Sequence, residues 1–130
     1  MLPKKRTFTE DIDTWQVVII SDPKQPLPRD AQILRLIDPA RRVEYILGQP
    51  QVTLGQSPCC DLRLEWERLG ELHCRLEWKQ GCWWVIDLES ADGFFVNGTR
   101  YRESELLPGD TLTMSDRTLD VDQIAVAELV

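Results

Sequence analysis

Three short stretches hold the residues of this 130-residue chain whose types and spacing could do chemistry. Gly55-Gln56-Ser57 sets an amide donor beside a hydroxyl. Gly70-Glu71-Leu72-His73 carries the single histidine. Ser90-Ala91-Asp92-Gly93 follows Asp87 and Glu89, so three carboxylates stand near one turn. Carboxylates so placed can pair for general acid–base work. His73, however, has no second histidine, nucleophile or ligand cluster in company, so a hydrogen-bonded scaffold role is expected of it, not catalysis. Cys59, Cys60, Cys74 and Cys82 form no C-x-x-C pair. Zinc needs better spaced ligands, and adjacent Cys59 and Cys60 are poor disulfide partners. Reduced thiols are therefore expected, with no metal and no cofactor.

The formal net charge of -7 turns the chain away from nucleic acid and anionic membranes, both of which attract basic surfaces. No run approaches the roughly 18 apolar residues of a membrane span. Met1 to Arg6 is basic, but no apolar region follows at signal-peptide distance, so no secretion signal is read and a cytoplasmic location is expected. A fragment of a longer protein is compatible with this reading, and composition leaves the oligomeric state open.

These residues need elements to position them. Residues 1–13 are polar and charged, and a tail is expected there. Trp15 to Ser21 reads as a strand. Pro23, Pro26 and Pro28 then make a linker. From Ala31 on, short β-branched or alternating runs are punctuated by turn residues. Cys74 to Lys79 alternates, with Cys74, Leu76 and Trp78 on one face. Gln80-Gly81 turns into Cys82 to Asp87. Asn97-Gly98 between Phe94-Phe95-Val96 and Thr99-Arg100-Tyr101 is a strong hairpin signal. Ser115-Asp116-Arg117 joins a second hairpin. Glu65 to Leu72 is expected to form one helical turn, and the stretch from Ile124 a short helix or last strand. Many short strands with regular turns predict an all-β fold, an antiparallel β-sandwich whose loops carry recognition. Residues 1–30 are read as an N-terminal extension, 31–124 as the sandwich and 125–130 as a tail.

The order of elements from about Val43 to Val121 resembles a forkhead-associated (FHA) domain. Leu54-Gly55, Cys60-Asp61-Leu62-Arg63-Leu64, His73, the run Asp87-Leu88-Glu89-Ser90-Ala91-Asp92-Gly93-Phe94-Phe95-Val96-Asn97-Gly98, and Leu107-Pro108-Gly109-Asp110-Thr111-Leu112 fall in family order at family spacing. The resemblance implies a sandwich of about eleven strands that binds phosphothreonine peptides through loops at one end. The matching positions here are Gly55, Gln56, Ser57, Gly70, Glu71, His73, Ser90, Asp92, Gly93 and Asn97. Gly55, Gly93, Gly98 and Gly109 are expected at turns that need positive φ.

Several of these positions depart from the pattern. The phosphate-binding Arg of the family falls on Gln56, and its phosphate-binding Ser on Gly70. Glu71 follows, and the Asn that holds the peptide backbone falls on Asp92. Gln lacks the charge and the bidentate fork of Arg, and a phosphate near -2 would approach two carboxylates. The expectation is a non-enzymatic protein- or peptide-binding module with phosphothreonine recognition degraded or absent. It would serve as a scaffold, as in bacterial signalling or secretion assemblies. The alternative is a phosphopeptide reader with a relocated cation, Arg68, aided by Ser57. Five tryptophans add a second expectation: any left outside the core marks a docking surface. Trp15 to Ile20 is expected to add a strand to the sandwich or to cover its apolar outer face, or else to pair with another chain by strand addition.

Overall fold

The computed structural model describes residues 5–10 and 13–129, with side chains from Thr14 to Ala127. Among the described residues, thirteen strands form two sheets. The larger contains β1 (Lys5–Glu10), β2 (Asp13–Ile20), β3 (Gln32–Asp38), β4 (Val43–Leu47), β9 (Phe94–Val96), β10 (Thr99–Tyr101), β12 (Thr111–Met114) and β13 (Arg117–Ala125), in the order β1-β2-β4-β3-β13-β12-β9-β10. The smaller contains β5 (Gln51–Gly55), β6 (Leu62–Arg63), β7 (Cys74–Lys79), β8 (Cys82–Asp87) and β11 (Glu103–Leu106), in the order β11-β8-β7-β5-β6. The eleven strands from β3 onward are the expected sandwich. Pairing is antiparallel except for β2 with β4 and β5 with β6.

The core lies between the sheets because the alternation places every second side chain inward. Leu34 and Leu36 of β3, Tyr45 and Leu47 of β4, and Leu119 and Val121 of β13 face Val52, Leu54, Leu76, Trp83 and Val85 of the smaller sheet. Trp83 is fully buried and donates its indole N–H to the Gln32 carbonyl at 2.8 Å, tying the two sheets together. Trp84 and Ile86 take the outer face, as period two requires. No tryptophan among the described residues is fully exposed: Trp66 and Trp83 are core, and Trp15, Trp78 and Trp84 are half-buried.

The local signals explain the turns. Asn97 (φ +51°) and Gly98 (φ +83°) both take the left-handed conformation that a two-residue hairpin needs, and so do Gln80 (+55°) and Gly81 (+79°). The β12–β13 turn is one residue shorter than expected, since Arg117 already pairs with Met114. The polar tail is corrected in part: Lys5–Glu10 pairs with β2 along its length, while residues 1–4 and 11–12 lie outside the described residues. β2 joins the sheet beside β4, with Val18 and Ile20 packed on the core. Its backbone donors and acceptors are thereby matched within the sheet. Ile124 and Ala125 continue β13, and Val126–Leu129 is a 3-10 turn.

The helical turn expected over Glu65 to Leu72 is absent. Arg68 sits at φ +66°, outside the helical region, so the Leu69 N–H bond to Trp66 O at 3.1 Å closes one tight turn and no helix, and Gln56 also reaches the Trp66 and Leu69 carbonyls. The segment is a loop anchored by Trp66, which is buried with its ring edge-on to Tyr45 at 6.4 Å and under the Arg117 guanidinium at 4.6 Å.

Candidate ligand-loop site

Three loops meet at one end of the sandwich: residues 56–61 after β5, residues 64–73 between β6 and β7, and residues 88–93 between β8 and β9. His73 joins two of them. Its ring is fully buried; Nδ1 accepts from the Gly70 N–H at 2.9 Å, so Nε2 carries the proton and donates to the Gly93 carbonyl at 2.7 Å. Its backbone extends the lattice: His73 N–H donates to Leu54 O at 2.9 Å, and Leu88 N–H to His73 O at 3.0 Å. Both ring nitrogens of His73 are thus engaged by backbone groups of the loops.

Gly55 has a different reason from the one expected. It is not at positive φ; a Cβ there would stand 2.2 Å from the Glu71 carbonyl oxygen, so the bare backbone lets the 64–73 loop close on β5. Gln56 and Ser57 then donate their N–H groups to Gly70 O (2.9 Å) and Glu71 O (3.0 Å). The Gln56 side chain turns inward. Its Nε2 donates to Trp66 O and to Leu69 O, each at 2.9 Å, so both amide hydrogens are taken by the neighbouring loop. On the far side of that loop, Ser115 Oγ donates to Glu67 O.

The other expected residues divide. Ser57 Oγ accepts from the Cys59 N–H at 3.1 Å, and the buried Cys60 thiol donates to Glu71 O at 3.2 Å. Burial pushes the Cys60 thiol above its ordinary pKa, so it stays neutral. Ser90 Oγ donates to Asp87 and accepts from Gly93 N–H at 2.9 Å, closing the 88–93 loop. Gly93 is at φ +70°, and a Cβ on it would stand 2.7 Å from Arg100 Nε. The Gly70 Cα faces His73 and Ser90: a Cβ there would lie 3.3 Å from His73 Nδ1 and 3.6 Å from Ser90 Cβ. Glu71 and Asp92 are exposed. Asn97 stands apart, at the other end of β9, where Nδ2 donates to Asp110 (3.0 Å) and Oδ1 accepts from Thr111 N–H (2.9 Å). It is a turn lock, not part of the loop surface.

Of the arginines named from sequence, Arg63 is held by Glu65 at 3.0 Å and by Gln56 O at 2.8 Å, and Arg75 by Glu77 at 3.3 Å. Arg68 is exposed and makes no ion pair among the described residues. The sequence reading missed Arg100, Tyr101 and Arg102. The Asn97-Gly98 hairpin returns them to the loop end. There they line an open cavity of about 650 Å³ with Asp87, Glu89 and Ser90. Arg100 donates to the Ala91 carbonyl at 3.4 Å. Counting two to four residues on from the Asn97-Gly98 turn would have found them.

The sequence model of the FHA domain matches residues 52–115, from β5 through the start of the β12–β13 turn, which includes all three loops. The chain carries an FHA domain. Solved structures share its fold. EmbR of Mycobacterium tuberculosis, in complex with a low-affinity phosphopeptide, superposes with a TM-score of 0.67 at 22% identity over 72% of this chain and 25% of EmbR. The Slr1951 protein of Synechocystis sp. gives 0.59 at 25% identity, over 70% and 96% of the two chains. The FHA domain of CT664 from Chlamydia trachomatis gives 0.60 at 18% identity, over 69% and 94%. The chain thus spans a quarter of EmbR and nearly all of the other two. No curated protein has a matching sequence. The FHA domain here has no helix, among the described residues, long and apolar enough to cross a membrane.

Proposed function

We infer that this FHA domain is a non-enzymatic protein-interaction module that meets its partner without reading phosphothreonine. One observation carries the reading: both hydrogens of the Gln56 amide are engaged by Trp66 O and Leu69 O, so position 56 offers a ligand neither charge nor donor. The surroundings agree. Gly70 has no hydroxyl, and the side chains of Glu71 and Asp92 are exposed carboxylates. A phosphate near charge -2 would be repelled by each, at about 1 kcal/mol after screening. The partner is a protein or peptide, not nucleic acid or membrane, in keeping with the net charge of -7. A scaffold place in a bacterial signalling or secretion assembly in the cytoplasm is the setting this reading favours.

The test is a calorimetric titration with matched phosphothreonine and unphosphorylated peptide libraries. The expected result is no phosphate-dependent heat. A second reading rests on Arg68, exposed and without an ion pair while Arg63 and Arg75 are held. Micromolar binding that needs the phosphate and disappears in Arg68→Ala would replace the first reading with a phosphopeptide reader whose cation has moved.

A further inference from the structure

The outer face of the eight-stranded sheet is a second surface, built from elements other than the loops. Leu34, Leu36, Tyr45 and Leu47 point into the core, so Ile33, Ile37 and Ile46 point outward. On β2, Val18 and Ile20 pack on the core, and Val17 and Ile19 face out with them. The pairing registers set these side chains in rows. One row runs Ile19, Ile46, Arg35, Asp122; the next runs Val17, Glu44, Ile37, Asp120. Ile33 and Ile124 stand opposite each other at one end. Ile19 is 39% exposed, and the other apolar members are half-buried.

The face is apolar at Val17, Ile19 and Ile46 and carries charge at Glu44, Arg35, Asp120 and Asp122 toward β13. Arg35 is held inside it, by Glu44 and by Asp122 at 2.8 Å. Asp120 is exposed. Along β4, β3 and β13, three carboxylates against one guanidinium leave the face net negative. Val17, Ile19 and Ile46 are neighbours in this face, and an apolar patch with a charged border marks a contact surface.

We propose that this face docks an amphipathic helix of a partner protein, one whose apolar stripe is flanked by lysine or arginine. The backbone groups of β2, β4, β3 and β13 are already paired with one another, so the face accepts side chains and not an added strand. A helix brings its own hydrogen bonds to such a surface, whereas an extended segment laid across it would leave amides unmatched. The acidic border selects the basic flank and steers its approach. A second copy of the chain fits poorly, because face-to-face packing would set six carboxylates against two guanidiniums.

The full chain is titrated with an amphipathic Leu/Lys helical peptide while backbone amide shifts are followed by NMR; a Leu/Glu peptide of the same pattern is the control. The expected shifts fall on β2, β4, β3 and β13, arise from the Leu/Lys peptide alone, and weaken as salt rises. Ile19→Lys is expected to weaken binding about tenfold. Asp120→Lys is expected to weaken it about threefold and to flatten the salt dependence. Both positions are exposed, and melting curves verify that each variant folds; if one does not, the wild-type shift map decides alone. Shifts clustered at the loop end, equal binding of the Leu/Glu peptide, or no binding overturn the proposal. So does sedimentation showing a dimer that Ile19→Lys disperses.

Discussion

At the residue scale, the loop end is organised by two side chains that satisfy backbone groups. His73 supplies an acceptor to Gly70 and a donor to Gly93 from a fully buried position. Replacing it by Ala leaves both groups unmatched beside a cavity, so His73→Ala is expected to lower unfolding free energy by about 3 kcal/mol in urea titration. Gly55→Ala drives a methyl into the Glu71 carbonyl and is expected to cost about 2 kcal/mol by the same measurement. Asp92→Ala serves as the contrast. Its side chain is exposed and makes no hydrogen bond among the described residues, so stability is expected to move by about 0.5 kcal/mol or less. A large loss there would contradict the view of Asp92 as surface. His73 was legible in the sequence by its isolation, since a lone histidine without company is a scaffold residue. Gln56 was legible only as an uncharged residue. Its inward turn depends on carbonyls ten and thirteen residues further on.

At the element scale, residues 64–70 are strapped from both sides. Gln56 holds two of their carbonyls from the end of β5, Ser115 reaches Glu67 from the β12–β13 turn, and Trp66 is seated between Tyr45 and Arg117. The loop is therefore an integral part of the sandwich. β2 is integral as well. It pairs with β4 over five residues and sets Val18 and Ile20 on the core. Removing residues 1–30 uncovers the β4 edge and those contacts. It is expected to lower stability by about 3 kcal/mol, with aggregation at the exposed edge. Unchanged urea midpoint and solubility would show that β2 is dispensable. The Trp15 to Ile20 run was legible as a strand from its β-branched content. Its parallel place beside β4 was not, because the signal for a strand carries no address for its neighbour.

At the scale of the molecule, burial keeps several ionisable groups neutral. Cys74 is fully buried, and desolvation pushes its thiol far above the usual range; Cys60 and Cys82 move the same way for the same leading reason, as does the Tyr45 phenol. The folded state thus keeps these protons to higher pH than the unfolded chain does. The stabilisation is complete below the unfolded thiol pKa of about 8.5 and is lost as pH rises through the folded values. The urea midpoint is expected to fall between about pH 7 and about pH 10. An equal midpoint would mean that the thiols titrate alike in both states. In thiol labelling, the exposed Cys59 is expected to react at once and Cys74 only on unfolding.

What the sequence by itself determined is everything that depends on near neighbours. Alternation specified which side of each strand is core, Asn97-Gly98 and Gln80-Gly81 specified tight hairpins, and the ordered motifs from Leu54 to Leu112 specified the FHA frame. These signals are local, set by the period of the pleat and the φ that a turn demands. The tertiary structure alone decided where the Gln56 amide is directed, that Gly55 serves close approach and not a left-handed turn, that Asn97 lies a strand away from the other motif residues, and that Arg100 and Arg102 return to the loops. It also decided that the outward residues of β2 join those of β4, β3 and β13 in a single apolar, acid-bordered face. Each of these is a meeting of groups distant in the chain, and sheet order, which brings them together, is set by how two whole layers pack and not by any single segment.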